Sequence, residues 1–311
     1  MHYRGGVAVI IPMFNEEQSI GAVLDDLKIL KEAKIFVFDN NSNDNSASIV
    51  KTKQNEFSNI SLLTTTKQGK GAVIREAFSI IDAEIYVIID ADGEHDVSIL
   101  PNALDFFKIN HLDMLNIARN GDKSLYRKYH SFGNWFLTKF IQIFFGRKIN
   151  DALSGYRIFN KAFVKSFPAE SSGFEVESEL TIFALQQNLR IDEIKANYKS
   201  RHKNSHSKLH TFKDGFKIAL MIMNLIFSEK PLVAFGILSL ISLFCGIILG
   251  VPIVLEFLET SKVPRFPTLF LCIGLGVIAV ILFISGFLAH LITRNIKQIR
   301  RITYNSYNKS F

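Results

Sequence analysis

Only two cysteines, Cys245 and Cys272, occur in 311 residues. Both fall inside long apolar runs, so neither a zinc site nor a secreted disulfide framework is expected, and apolar packing is their role. No Gly-x-x-x-x-Gly-Lys-Ser/Thr stretch is present, which argues against a P-loop ATPase. No Ser-His-Asp or Cys-His arrangement stands out for nucleophilic catalysis. No cleaved leader is expected either. The opening "MHYRGGVAVIIPMFNEE" meets acidic residues after a short apolar run, so it reads as a strand, and residues 1–230 are expected to stay on the side where they are made. Internal repeats and low-complexity linkers are also lacking. Basic excess is local: the net charge is +7, but Arg294, Lys297, Arg300, Arg301 and Lys309 cluster in a tail without an acid. The rest of the chain is close to balanced, which disfavours a nucleic-acid partner and turns the tail toward anionic lipid headgroups.

What the chain has in abundance is apolar sequence, 48% of the whole. Pro231 to Leu255 and Phe266 to Thr293 contain no charged residue. Each exceeds the roughly 20 residues that cross a bilayer core, and each lacks the polar face of a soluble helix, so two transmembrane helices are expected at about 231–255 and 267–293. The loop between them (Glu256, Glu259, Lys262, Arg265) is neutral while the tail is basic. That asymmetry predicts a multi-pass protein of the plasma membrane with both termini cytoplasmic. His290 is the ionisable residue within the spans and has no acidic partner there, so a transport path is not expected. Lys, Asn, Ile and Phe richness points to an AT-rich bacterial genome.

The first half alternates short apolar runs, near 7–12, 34–39, 61–66, 84–90 and 112–118, with helical stretches. This predicts an α/β fold: a mostly parallel twisted sheet with helices on both faces. Ligands bind beyond the C-terminal strand ends of such sheets, which marks Asn15 and Glu16, the run from Asp39 and Asn40 to Asp44, Asp90 and Asp92, and Arg119. Two amphipathic stretches, near 131–146 and at 211–230, are rich in aromatics and read as helices that either pack on the sheet or lie in the headgroup layer. The expected domains are 1–210 (catalytic), 211–230 (interfacial), 231–293 (spans) and 294–311 (tail).

"YVIIDADGEHD" brings Asp90 and Asp92 to the end of a buried strand. Two carboxylates so close repel unless a cation joins them. Oxygen ligands suit a hard divalent ion, Mg²⁺ or Mn²⁺, that completes its shell with substrate phosphates. The alternative is that one Asp caps the next helix and the other is solvated. Asp39 is placed either to bond a nucleoside or to form a turn. "KQGKGAVIREA" sets glycines and lysines, Lys70 among them, before a helix whose N-terminus faces an anion. His95 lacks a partner at metal-ligand spacing.

"IPMFNEE", "DNNSNDNS", "KQGKGAVIREAF", "DADGEHD", "DALSGYRIFNKAF", "GFEVESELTIFAL" and "SHSKLHTFKDGFK" follow one another in the order seen in family 2 glycosyltransferases. The chain resembles the polyprenyl-phosphate branch, the group of dolichol-phosphate mannose synthase, over about residues 7–230, and its two C-terminal runs match the bacterial two-span layout. The resemblance implies a GT-A type nucleotide-sugar-binding domain. It implies that Asp90 and Asp92 hold a divalent metal on the donor diphosphate. Pro12, Asn15, Glu16, Asp39, Asn40, Lys70 and Ala91 would then line the nucleotide-sugar, and Arg119 and Arg127 would lie near phosphate. Ser154, Arg157, Arg201, Ser205, Ser207 and Lys208 fall on the acceptor side, with Arg157 also catalytic. Asn40 stands where the family often has a second Asp, and the third metal ligand is unassigned.

The expected activity is inverting transfer of a sugar, from UDP more readily than GDP, to polyprenyl phosphate, with undecaprenyl phosphate favoured by the bacterial composition. An ionised lipid phosphate needs no strong general base to attack. Rival readings are a transferase of this fold with a protein, glycan or processive acceptor, and a non-enzymatic membrane scaffold. Membrane lipids are expected partners, and a homo-oligomer is open.

Overall fold

The computed structural model describes residues 3–120, 138, 139, 142, 149–168, 173, 175–198, 227, 228, 230–263 and 265–308. The amphipathic stretches near 131–146 and at 211–230 lie largely outside them. The chain divides into two units: Met1–Thr211 together with Arg300–Phe311, and Phe212–Ile299.

In the first unit the strands are β1 (Tyr3–Met13), β2 (Lys34–Asp39), β3 (Ile60–Thr64), β4 (Ile81–Ile88), β5 (Met114–Asn120), β6 (Arg157–Asn160) and β7 (Ile191–Asn197). Its helices are α1 (Ile20–Asp26), α2 (Ser46–Glu56), α3 (Lys70–Ile80), α4 (Leu100–Ile109), α5 (Lys161–Ser166) and α6 (Val176–Gln186). The strand order is β3-β2-β1-β4-β6-β5-β7. β6 runs antiparallel to both of its neighbours, and the other described pairings are parallel. The five expected strands are present. β6 and β7 do not stand out in the sequence, since β6 is only four residues long and β7, IDEIKAN, is rich in charge with two acids side by side and no strict alternation.

Strand alternation sorts the core onto two faces. Val9, Ile11, Val37 and Val87 point to the face covered by α1, α2 and α4, packing with Ile20, Leu24, Val50, Leu100 and Phe107. Ala8, Ile10, Phe38 and Tyr86 point to the other face, where α3, α5 and α6 supply Val73, Phe78, Phe163 and Leu180. Each fully buried large side chain contributes about 1.5–3 kcal/mol. The C-terminal ends of the six parallel strands share one edge, and antiparallel β6 begins there. The chain switches direction across the sheet between β1 and β4, which is where α/β sheets open a crevice for ligands.

The second unit holds α7 (Pro231–Thr260) and most of α8 (Phe266–Asn308), both long and apolar enough to cross a membrane. They form an antiparallel hairpin along a seam of small residues. Ser239 Oγ donates to Ala279 O at 2.7 Å and Ser242 Oγ to Leu275 O at 2.9 Å. Gly246 lies against Leu275 and Cys272, and Gly286 against Phe235. Small residues let apolar helices approach where no hydrophobic force between them exists. Cys245 and Cys272 are free thiols.

α8 continues to Asn308, beyond the expected span, and its turns from Arg300 onward belong to the first unit. Tyr304 is buried in the α3/α5/α6 face, and its hydroxyl donates to Asp113 Oδ1 at 2.8 Å. Burial and the neighbouring carboxylate push its hydroxyl pKa up. Asp113 also accepts from Asn160 Nδ2 and the Arg190 amide, each at 2.7 Å. Removing the hydroxyl with Tyr304→Phe takes away one hydrogen bond to a buried carboxylate, whose Oδ1 keeps that from Asn160 Nδ2. The expected cost is about 2 kcal/mol, read as a lower denaturation midpoint of the detergent-solubilised full chain beside wild type.

Candidate active site

The loops after β1 and β2 are zipped together by backbone amides that donate to side chains of the opposite loop. The Asn15 amide donates to Ser42 Oγ at 3.0 Å, the Glu16 amide to Ser46 Oγ at 2.8 Å, and the Asn43 amide to Asn15 Oδ1 at 2.8 Å. Asn15 and Asn41 take left-handed backbone, which Asn tolerates best after Gly. Pro12 sits one alternation past the last β1–β4 rung, from Ile89 N to Ile10 O, so its missing N–H costs no ladder bond. Asp39 is buried at the end of β2, with Oδ1 accepting from the Ser42 amide at 3.1 Å.

Asn40, expected at the nucleoside, is committed elsewhere. Its Nδ2 donates to Thr65 Oγ1 at 2.6 Å and Lys67 O at 2.7 Å, and its Oδ1 accepts from the Gly69 amide at 2.7 Å. An amide can serve two acceptors and a donor at once, as an Asp cannot. The Asp-to-Asn departure therefore has a local cause: it shapes the loop that delivers Lys70. Gly69, at φ +112°, takes backbone that a side chain would disfavour and starts α3 there.

Lys70 Nζ lies 2.5 Å from Asp90 Oδ1 and 2.6 Å from Glu177 Oε1. Its side chain is 7% exposed, that of Glu177 11%, and that of Asp90 24%, the most exposed of the three. Burial opposes the charge on Asp90, but the Lys70 ammonium and His95 outweigh it and hold the carboxyl well below its usual range. Burial likewise opposes the Lys70 charge, and Asp90 and Glu177 hold that ammonium above its usual range. His95 Nε2 is 3.6 Å from Asp90 Oδ2, its ring packs on Tyr156 and Tyr198, and its backbone bridges to Tyr198. Asp92 Oδ1 accepts from the Glu94 amide at 3.1 Å, and the Tyr198 hydroxyl donates to Glu94. Ala91 is buried between the two aspartates. A Cβ on Gly155 would fall 2.1 Å from Asp90 Oδ2, so the 151–156 loop presses on Asp90 with bare backbone.

That loop is stitched to β5 and β7. Asn116 Nδ2 donates to Asp151 O and to Glu193 Oε2, both at 2.8 Å, and Ser154 Oγ donates to Ile117 O at 2.6 Å. Arg119, expected near phosphate, grips Asp151 with Nε to Oδ2 at 2.6 Å and Nη2 to Oδ1 at 2.7 Å, and lies over the Tyr198 ring. Burial opposes its charge, but Asp151 holds its pKa above the ordinary value.

Arg157 and Ser154 were expected to face the acceptor phosphate, and the structure turns both inward. Ser154 is fully buried. Arg157 is 1% exposed and donates to Ser154 O at 2.9 Å, Ala152 O at 2.7 Å and Thr181 Oγ1 at 2.8 Å. Burial pushes its pKa down to about 10, still above neutrality. As the first residue of β6 it shares the inward face with Phe159, so its donors brace the loop. Arg127, Arg201, Ser205, Ser207 and Lys208 lie outside the described residues.

Glu177 and Asp151, the anionic partners of Lys70 and Arg119, escaped the sequence reading. Both stand within quoted motifs, but no spacing rule links 70 to 177 or 119 to 151. Among the described residues no trio of His, Cys, Asp and Glu converges as a ready metal cage. An ion that takes one or two protein carboxylates suits this donor set: two aspartates, one of them partly exposed and carrying an ammonium in a cation's place. Asp151→Asn breaks a bidentate pair with a partly buried guanidinium. It is expected to cost about 2–3 kcal/mol, measured by urea denaturation of the solubilised protein.

The family model described as glycosyl transferase family 2 matches residues 8–167. Protein RfbJ of Shigella flexneri is 38% identical over 133 residues, 42% of this chain and 99% of that protein. A dolichyl-phosphate beta-glucosyltransferase of Saccharomyces cerevisiae is 26% identical over 247 residues, 68% of this chain and 72% of that one. Among solved structures, glucosyl-3-phosphoglycerate synthase from Mycobacterium tuberculosis, in complex with Mn²⁺, UDP and phosphoglyceric acid, aligns at TM-score 0.57 and 16% identity. The alignment covers 72% of this chain and 78% of that one, a likeness of fold. With the family matched over half its length and a GT-A sheet carrying the motifs, this chain belongs to glycosyl transferase family 2, and its relatives include polyprenyl-phosphate sugar transferases.

Proposed function

We propose that the protein transfers a hexose from a nucleoside diphosphate, UDP in preference to GDP, to a polyprenyl phosphate, undecaprenyl phosphate being the expected acceptor. The carrying observation is that one chain joins a carboxylate site at the switch point of a GT-A sheet to two helices of membrane-spanning length. Relatives named for dolichyl phosphate and undecaprenyl phosphate support the acceptor, and the UDP-bound fold neighbour supports the donor. A polyprenyl chain leaves the bilayer at a cost of about 0.8 kcal/mol per exposed CH₂, so the enzyme must go to its substrate. On this reading the two helices cross the plasma membrane of a bacterium and the catalytic unit faces the cytoplasm, on the side of the basic residues from Arg294 on.

Asp90 and Asp92 would hold Mg²⁺ or Mn²⁺, which when bound supplies positive charge for the leaving diphosphate. Pro12, Asn15, Glu16 and Asp39 would line the nucleoside from the zipped loops, and Asn40 would act through the Lys70 loop. A phosphate oxygen of the lipid attacks the anomeric carbon as its bond to the diphosphate oxygen breaks, and the electron pair leaves with the nucleoside diphosphate. In-line attack inverts the anomeric centre. Arg119, steadied by Asp151, and the basic residues Arg127, Arg201 and Lys208, with Ser205 and Ser207, are the proposed phosphate-facing groups. Arg157 and Ser154 would serve by holding the 151–156 loop.

Membranes carrying the protein, given undecaprenyl phosphate and a panel of labelled UDP- and GDP-sugars, are expected to move label into organic-extractable lipid. Transfer should require a divalent ion and be abolished in Asp92→Asn. Hydrolysis of a donor without lipid labelling would overturn the acceptor and favour a soluble or polymeric one. In the same assay Gly155→Ala is expected to lower the rate about a hundredfold, because an ångström-scale shift of Asp90 misplaces the donor. Unchanged transfer would mean that the loop does not set the Asp90 position.

A further inference from the structure

Lys70 is an unusual neighbour for a metal ligand. Its ammonium sits 2.5 Å from Asp90 Oδ1, on the carboxylate that a divalent ion would use, and at the same time 2.6 Å from Glu177 Oε1. Two cations compete for one carboxylate, and their repulsion at such range in a partly dry site is large. Lys70 cannot retreat to water, since its side chain is 7% exposed and Asn40 and Gly69 hold the backbone that carries it. Glu177 offers the way out. It is buried in the first turn of α6, where the helix dipole favours its negative charge, and it already holds the ammonium. Arg119 is committed to Asp151 and makes no described contact with Asp90.

We propose that Lys70 is an exchangeable counter-cation for Asp90, and that Glu177 is the positioning residue that takes the ammonium when the divalent ion arrives. This rests on reading Asp90 and Asp92 as the metal ligands. In the exchange no bond is made or broken covalently: the Lys70 to Asp90 ion pair is replaced by ion coordination, and Lys70 keeps its pair with Glu177. Metal affinity is then set by a balance between two fixed charges of opposite sign. Lys70 opposes entry by occupying Asp90, and Glu177 favours it by drawing Lys70 away.

The test is Mn²⁺ binding to the full-length detergent-solubilised protein, without nucleotide, followed by the loss of the free-ion electron paramagnetic resonance signal. Lys70→Met is expected to bind Mn²⁺ about tenfold more tightly than wild type and Glu177→Gln about tenfold more weakly, within the range of couplings measured between touching groups. Lys70→Arg keeps the competing charge and should stay near wild type. Arg119→Met changes the local charge equally without touching Asp90, and should shift affinity clearly less than Lys70→Met.

Lys70→Met and Glu177→Gln moving the same way, which damage to the fold alone would produce, would overturn the exchange. So would Arg119→Met matching Lys70→Met, which would leave only a through-space field. Should Lys70→Met not fold, Glu177→Gln binding as tightly as wild type would by itself refute the role of Glu177. The underlying reading fails separately: wild type that binds no Mn²⁺ with or without UDP, or binds it as well as Asp92→Asn does, removes the metal site and the exchange with it.

Discussion

Lys70 holds together parts of the chain that are far apart in sequence. Its ammonium joins the end of β4 to the first turn of α6, 107 residues from its own position to that of Glu177. Two glycines make this possible: Gly69 turns the chain so that α3 begins at Lys70, and Gly155 lets a loop close over Asp90 without a side chain. Around that ion pair the site has an electrostatic logic. Cations are paired with carboxylates, and Asp90, more exposed than Lys70 or Glu177, has Asp92 two residues on. Charge of that sign at the mouth of an α/β sheet is what a divalent ion and a diphosphate together can satisfy.

The antiparallel β6 is the second constraint. Inserted between β4 and β5, it starts at the edge where the parallel strands end, and so brings residues 151–156 to the same edge as Asp90 and Arg119. Arg157 and Ser154 spend their hydrogen bonds on fixing that loop, because a buried guanidinium whose donors lacked acceptors would be costly. The result is a site with two differently built halves. Loops zipped by short polar side chains form one, and a strand start braced from inside the core forms the other. The last turns of helix α8 belong to the first unit, where Tyr304 is held by Asp113.

Much of this was legible in the residues. Alternating apolar runs located β1 to β5, because a strand packed between two helical layers must be apolar on both faces. Uncharged stretches longer than a bilayer core located α7 and the apolar part of α8. Asp90 and Asp92 announced themselves because like charges after a buried strand demand a partner. These signals are local, and local periodicity and local charge survive in a linear string. The short, reversed β6 and the charge-rich β7 carried too little of either.

Tertiary structure alone decided who the partners are. Nothing in the spacing pairs Lys70 with Glu177, Arg119 with Asp151 or Tyr304 with Asp113. Nor does it show that Arg157 faces the core or that Asn40 serves the Lys70 loop. The physical reason is the same in each case. Burial and hydrogen-bond satisfaction depend on which strand lies beside which, and strand order is a property of the closed sheet. The sequence by itself determined the fold class, the membrane-length helices and the carboxylates at the strand end, while the closed sheet determined which cation answers each carboxylate.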